Sequence, residues 1–202
     1  MSTGDHDRVR ALALACSPRA GGNSDQLLEA FVRGMEAGGA EVELVRVREA
    51  QIESCRNCGS CSKTGRCVIA DEMSQEIHPK MERSDRIALA TPVFFYQTSS
   101  LAAKVIERVQ PFWARKHVLE DPLPSRRGQI ERLGAWLAVG ATRGERLFDG
   151  MLLTARYFYE AIGARLAETV TVKGVDERGA IRAHPTALAD AEAAGRRFVE
   201  LA

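Results

Sequence analysis

Residues 9–24 read VRALALACSPRAGGNS, and this stretch decides the fold. Its first part, residues 9–15, is apolar except for Arg10, which is typical of a buried parallel strand. Apolar residues at helical spacing follow over residues 24–38. A strand that leads through a short loop into a helix indicates an α/β unit, and the next strand is expected to lie parallel to the first.

The rest of the chain repeats this alternation of strand and helix. Further strands are predicted over residues 41–47, 86–90, 134–139 and 167–172, and further helices over residues 73–81, 99–109, 147–162 and 185–201. Thr91 and Pro92 are expected to halt the third strand. Right-handed crossovers then give a doubly wound α/β sheet of five parallel strands with helices on both faces. We expect one domain over residues 1–202, with a cysteine-rich insertion at about 52–70.

Composition narrows the possible partners. The chain has 202 residues, of which 45% are hydrophobic and 27% charged, and its net charge of +1 gives no overall field to attract nucleic acid or an acidic membrane. No apolar run approaches the roughly 20 residues that a membrane-spanning helix needs. The N-terminal apolar stretch of about seven residues, preceded by acidic residues, is a poor signal peptide. We therefore expect a cytoplasmic protein without nucleic-acid or membrane partners.

The loop SPRAGGNS, residues 17–24, has the features of a phosphate site. In an open parallel sheet, ligands bind outside the carboxyl ends of the strands, where a helix N-terminus offers unpaired N–H groups to an anion. Ser17, Asn23 and Ser24 can donate further hydrogen bonds, and Arg19 can add positive charge. Neither the dinucleotide fingerprint nor the Walker loop is present. A capped loop without a ligand is the alternative.

Two further loops leave predicted strands at the same edge. Residues 91–100, TPVFFYQTSS, are unusually aromatic for an exposed loop, and aromatic side chains at a crevice can face a flat ring. The alternative is that they continue the strand into the core. Residues 140–144, GATRG, follow the fourth predicted strand and would complete the rim of a site.

The loop sequences SPRAGGNS, TPVFFYQTSS and GATRGERLF, with Lys104 after the second, resemble those of the NAD(P)H-dependent FMN reductases of the flavodoxin superfamily. The resemblance extends over residues 9–201 and implies a flavodoxin-like sheet of order 2-1-3-4-5 that binds FMN. The first loop would hold the FMN phosphate, the second the isoalloxazine, and the third would complete the site. The cofactor-binding residues that it implies are Ser17, Arg19, Asn23, Ser24, Pro92, Val93, Phe94, Phe95, Ser99, Ala141, Thr142 and Arg143. Tyr96 departs from the family, because related proteins often have glycine there.

Four cysteines form the most distinctive pattern of the sequence, C-x2-C-x2-C-x5-C, at Cys55, Cys58, Cys61 and Cys67. This spacing is close to the bacterial-type run that ligates iron–sulfur clusters, and Gly59 and Gly65 permit the tight backbone that such wrapping needs. Four thiolates also suit a tetrahedral zinc ion, and a redox pair or simple buried cysteines is a further alternative. Cys16, outside the motif, is expected to be a small buried residue.

The segment SCRNCGSCSKTGRCVIADEM, residues 54–73, resembles the iron–sulfur flavoprotein branch of the same superfamily. That resemblance implies a [4Fe–4S] cluster on the four cysteines, electron exchange with FMN across a subunit interface, and a homodimer or homotetramer. Such a protein would convert between two-electron and one-electron partners, with no side chain acting as a catalytic nucleophile. The donor would be NAD(P)H or a ferredoxin-like protein, and the acceptor a quinone, a flavin or an oxygen species. The alternatives are an NAD(P)H:quinone or FMN reductase whose cysteines are structural or bind zinc, and a non-enzymatic electron carrier.

A long charged segment, RKHVLEDPLPSRRGQIER, spans residues 115–132. We expect a solvated loop, since loops of this kind lie at the surface. The alternative is a lid, or a contact to the nicotinamide phosphate or a partner through Arg126 and Arg127. Trp113, just before it, is expected to pack rather than to take part in chemistry.

Overall fold

The computed structural model describes residues 8–123 and 131–201. The strands are β1 (Arg10–Ala15), β2 (Glu41–Arg46), β3 (Arg86–Phe94), β4 (Gln97–Thr98), β5 (Leu133–Gly140) and β6 (Arg165–Lys173). The helices are α1 (Asn23–Ala37), α2 (Cys61–Thr64), α3 (His78–Arg83), α4 (Ser100–Glu107), α5 (Gln110–His117), α6 (Asp149–Ala161) and α7 (Ala187–Glu200). A π-helical turn, Met73–Ile77, precedes α3.

Five of the strands form a parallel sheet in the order β2-β1-β3-β5-β6. This is the predicted doubly wound α/β sheet, and its parallel strands follow one another as the resemblance implied. The predicted count of five strands was wrong, because a short sixth strand, β4, pairs antiparallel with the end of β3. Among the described residues, no helix is long and apolar enough to cross a membrane.

β3 is longer than its sequence pattern predicted. It runs through Thr91 and Pro92 to Phe94, and Pro92 lies in register with Val139 of β5. β1 ends opposite Ala90, so Pro92 lies past the edge that β3 shares with β1. Proline is tolerated at such an edge because no ladder hydrogen bond from its missing N–H is needed there.

The hairpin between β3 and β4 explains the missed strand. Phe95 and Tyr96 form its two-residue turn, and their φ angles are 50° and 63°. Both lie in the left-handed region that a type I′ turn requires and that Asn-Gly normally supplies. Two aromatic residues give no sequence signal for this turn.

Helices cover both faces of the sheet. α1 and α7 pack on one face around a core that includes Phe31 and Phe198, while α3 to α6 cover the other. α1 and α7 touch through their backbones, because a Cβ at Gly34 would collide with the carbonyl of Glu192 and one at Gly195 with the carbonyl of Phe31. This contact fixes α1, and with it the loop that leads into α1.

The charged segment 115–132 departs from the predicted solvated loop at its described ends. Its first residues belong to α5, and Arg132 is buried. The Arg132 guanidinium donates to the carbonyls of Ser84 and Met81 and, at 2.7 Å, to that of Ile162. The predicted contact residues Arg126 and Arg127 lie outside the described residues.

Candidate cofactor groove and cysteine pocket

The loop between β1 and α1 folds back on itself. The Ser17 hydroxyl is buried, donates to the carbonyl of Arg19 at 3.0 Å and accepts from the Arg19 N–H at 3.2 Å. The Gly22 N–H donates to the same carbonyl, and a Cβ at Gly22 would lie 3.1 Å from it. Gly21 has a φ of 62°, which favours glycine. These hydrogen bonds within the loop fix its backbone.

The N-terminus of α1 is open to an anion. Its N-cap is Gly22, and no side-chain cap is found there among the described residues. The first-turn N–H groups have no acceptor within the helix, and the positive end of the helix dipole lies at the same place. This combination suits a phosphate.

A buried ion pair supports the loop. Asp25, in the first turn of α1, accepts from the Gly21 N–H at 3.0 Å and from Arg48 Nη1 at 2.9 Å. Burial raises the pKa of Asp25, and the charge of Arg48 opposes that shift. The pair holds Gly21 in place while Arg48 balances a carboxylate that would otherwise repel a phosphate.

A fourth loop, which was not predicted from the sequence, is hydrogen-bonded to the first loop. Arg178, after β6, donates through Nη2 to the carbonyl of Ala20 at 2.6 Å. Asn23 Nδ2 donates to the carbonyl of Glu177 at 2.9 Å. The signal for this loop was available, since it leaves the carboxyl end of a parallel strand like the other three.

These loops form one groove at the carboxyl edge of the sheet, between the ends of β1 and β3. The sequence-predicted residues that line it are Ser17, Arg19, Asn23, Ser24, Pro92, Val93, Phe94 and Ala141. The structure adds Pro18, Gly22, Val139, Val175, Asp176 and Arg178. Polar and cationic groups gather at the α1 end, while Val93 and Phe94 give an apolar wall.

Four of the predicted cofactor residues do not line this groove. Phe95 is 99% exposed at the hairpin tip. Ser99 is buried, and its hydroxyl caps α4 by accepting from the Ala102 N–H at 3.2 Å and donates to the carbonyl of Cys16 at 2.6 Å. Thr142 accepts from the Gly174 N–H, and the Arg143 guanidinium packs over Gly174 beside β6.

Tyr96 contacts the third loop. A Cβ at Gly144 would lie 2.8 Å from the Tyr96 hydroxyl oxygen, so the phenol packs directly on this glycine. The residue that departs from the family's usual glycine therefore joins the second loop to the third.

The cysteine segment forms a second pocket. Cys55, Cys58, Cys61 and Cys67 all line it, together with Arg108 and the half-exposed Trp113, which was expected to pack. Left-handed φ angles at Asn57, Gly59 and Gly65 turn the chain around this pocket. All five cysteines, which fall within the described residues, are free thiols, and Cys16 is fully buried as expected.

The thiols differ in their surroundings. Hydrogen bonding with Ser60 lowers the pKa of Cys58. Burial raises the pKa of Cys61, and the negative charges of Cys67, Cys55 and Cys58 add to that effect. The pKa of Cys61 therefore depends on the other three cysteines. Over residues 8–123 and 131–201, however, no three His, Cys, Asp or Glu side chains converge as a single metal ion requires.

Residues 9–145 match the family described as NADPH-dependent FMN reductase. The chain belongs to this family. The match includes the first three loops and the cysteine segment, and it ends before the loop that carries Arg178. FMN is the cofactor that the family's description names.

Curated relatives are iron–sulfur flavoproteins. One from Archaeoglobus fulgidus is 34% identical over 107 residues, which cover 53% of this chain and 48% of the relative. One from Methanosarcina thermophila is 26% identical over 135 residues, 67% of this chain and 65% of the relative. The chain thus matches about half to two thirds of the length of these relatives.

Solved structures share the fold. The NAD(P)H:quinone oxidoreductase from Methanothermobacter marburgensis has a TM-score of 0.68 at 18% identity, with 95% of this chain and 96% of that chain covered. A flavone reductase has a TM-score of 0.65 at 17% identity, with 95% and 62% covered. At these identities the likeness concerns the flavodoxin-like fold alone.

Proposed function

We propose that this chain is an FMN-dependent oxidoreductase that takes electrons from NAD(P)H and holds a [4Fe–4S] cluster on its cysteine segment. The observation that carries the proposal is the groove between β1 and β3, where an uncapped helix N-terminus faces an apolar wall. This groove lies where the strand order reverses, which is the ligand site of doubly wound sheets. The chain would act as a single FMN-binding domain with a cysteine-rich insertion.

The groove suits the two ends of FMN. We assign the phosphate to the N–H groups of the first turn of α1, with Ser17, Arg19, Asn23 and Ser24 around it. The ring would lie against Pro92, Val93 and Phe94, with the third loop at its edge. Four residues of the second and third loops would take part in the FMN site without lining the groove: Phe95, Ser99, Thr142 and Arg143.

When bound, FMN accepts a hydride and releases electrons singly, whereas an iron–sulfur cluster passes one electron at a time. The contribution of the chain is to bind and orient. Arg19 and the helix N-terminus balance the phosphate charge, and Phe94 excludes water from one side of the groove. We assign no side chain a nucleophilic or acid–base role.

The cysteine pocket suits a cube-shaped cluster better than a single ion. In a [4Fe–4S] cluster each thiolate binds a different iron, so four sulfurs surround a volume instead of converging on a point. Four cysteines lining one pocket without a converging group fit that requirement. Curated relatives are named iron–sulfur flavoproteins, which supports a cluster here, and we assign its ligands to Cys55, Cys58, Cys61 and Cys67.

The groove and the cysteine pocket share no lining residue. We propose that two or more copies of the chain associate, so that the pocket of one copy approaches the groove of another. A quinone, a flavin or an oxygen species would be the acceptor, and a ferredoxin-like protein would be an alternative donor.

A second candidate is an NAD(P)H:quinone or FMN reductase without a cluster. It is favoured by the exposure to water of Cys58, one of the four thiols of the pocket.

The test is a count of FMN, iron, acid-labile sulfide and zinc in protein purified without oxygen. We expect FMN together with iron and sulfide, and NAD(P)H oxidation with a quinone. Cys67→Ala should lose iron and keep FMN, whereas the matched control Cys16→Ala should keep both. FMN without iron in the wild type would leave the second candidate, and absence of FMN would overturn both.

A further inference from the structure

Arg108 is a buried cation beside the cysteine pocket. It follows α4 directly, and its side chain is fully buried. Nη1 donates to the carbonyl of Glu53 at 2.8 Å and to Asp71 Oδ2 at 2.6 Å, and Nη2 donates to Asp71 Oδ1 at 2.9 Å. Arg108 thus binds one carboxylate with both arms of its guanidinium and connects the two ends of the cysteine segment.

One further contact places this cation beside the cysteines. Nη2 lies 3.5 Å from the sulfur of Cys67, and Arg108 is one of the residues lining the pocket. Its Nε is buried and has no hydrogen-bond acceptor among the described residues. A buried donor without an acceptor is costly, so an acceptor atom within reach of Nε would relieve that cost.

We propose that Arg108 is a positioning residue for the iron–sulfur cluster, which donates hydrogen bonds to its sulfur atoms and raises its reduction potential. The inference rests on the proposed function, because it requires a cluster on the four cysteines. A cluster bound by four thiolates is anionic, and reduction adds negative charge. A nearby buried cation therefore stabilises the reduced form more than the oxidised form.

Asp71 has the opposite effect on the reduction potential of the cluster. Its carboxylate neutralises part of the Arg108 charge, and Nη2 contacts both Asp71 Oδ1 and the Cys67 sulfur. Hydrogen bonds to sulfur and local charge are among the factors that set cluster potentials, and burial protects this pair from screening by salt. Arg108 and Asp71 should therefore shift the potential in opposite directions.

The opposite signs separate this role from a merely structural one. If the pair served only to hold the cysteine segment, loss of either partner would weaken cluster retention in the same way. Arg66 supplies the matched control, since it precedes Cys67 directly, carries the same charge and is exposed to water. Replacement of Arg66 should change the cluster potential little, because water screens the charge of this side chain.

The experiment is a redox titration of the cluster in anaerobically purified R108Q, D71N and R66Q, followed by absorbance and electron paramagnetic resonance, with iron and sulfide counted per FMN. We expect a midpoint more negative than wild type in R108Q, more positive in D71N, and unchanged in R66Q. If R108Q loses its iron, D71N and R108K test the inference instead. The inference then requires that the midpoint potential of D71N lies above that of wild type and that R108K keeps its cluster.

Several results would overturn the inference while leaving the cluster in place. These are shifts of R108Q and D71N in the same direction, an R108Q midpoint equal to that of R66Q, or loss of iron from both R108Q and D71N with FMN retained. A wild-type protein that holds FMN without iron is a different outcome, because it overturns the cluster in the proposed function and the inference with it.

Discussion

The guanidinium of Arg178 donates to the carbonyl oxygen of Ala20 across 2.6 Å and so joins the loop after β6 to the loop after β1. The two residues are separated by 158 positions in the chain. The contact places the Arg178 cation at the rim of the groove where we assign the FMN phosphate. Arg178 lies outside the residues that match the family.

Replacement of Arg178 by alanine should weaken FMN binding more than replacement of Arg143. A hydrogen bond to a charged group contributes about 1.5–3 kcal/mol, and the exposure of Arg178 reduces this to about 1 kcal/mol, or roughly a fivefold rise in Kd. Arg143 packs over Gly174 outside the groove, so R143A should leave Kd nearly unchanged. Flavin fluorescence titration of the two apoproteins measures the difference. A larger loss in R143A would favour the residue chosen from sequence over the one chosen from structure.

The sequence predicts the central strands well because β1, β3 and β5 are largely buried on both faces. β1 after Arg10 and the whole of β5 are continuous apolar runs, which are typical of parallel strands covered on both faces. β4 has only two residues, and its turn at Phe95 and Tyr96 lacks the glycine or asparagine that marks positive φ angles. The extent of β3 past Pro92 depends on where β1 ends, which local patterns do not encode.

The residues of the candidate site also divide into those that the sequence predicts and those that it does not. Residues on the first loop were predictable because strand, loop and helix are adjacent in sequence. The loop of Arg178 leaves a parallel strand at the same edge and could have been singled out, but the contact of Arg178 itself could not, because it depends on how β6 ends against the first loop. Ser99 has the residue type of a ligand contact, but its hydroxyl caps α4 and is buried. Residue type alone does not separate those two roles.

The Arg48–Asp25 pair should be needed for stability as well as for the shape of the phosphate loop. R48A leaves a buried carboxylate without its cation, and we expect a loss of about 3 kcal/mol in the free energy of unfolding. D25N in the R48A background removes that charge and should recover part of the loss. Urea unfolding of wild type, both single variants and the double variant gives the coupling. Additive losses would mean that the two side chains do not act as a pair.

Glycine at position 34 should be required by the contact between α1 and α7. G34A places a methyl group against the backbone of α7, and we expect a loss of about 1–3 kcal/mol from overpacking. G150A is the matched control, because its Cβ would meet only ordinary contacts near the start of α6. There, alanine should stabilise the protein by about 0.5–1 kcal/mol through its helix propensity. Thermal unfolding of both variants tests the contrast, and an equal response would contradict close helix packing at Gly34.

His78 should make the protein sensitive to mild acid. Burial lowers its pKa from 6.5 to about 4, and the charge of Arg108 acts in the same direction. Its ring nitrogen Nε2 lies 2.8 Å from the carbonyl oxygen of Arg108, so the neutral ring can donate that hydrogen bond. Because the folded state binds the proton less tightly than the unfolded state, the contribution of His78 is complete above pH 6.5 and is lost as the pH falls toward 4. The size of this loss is about 3 kcal/mol. H78Q removes the titrating group, so its free energy of unfolding should fall less than that of wild type between these pH values. Urea unfolding at half-unit pH steps measures both curves, and parallel curves would show that His78 does not control the acid response.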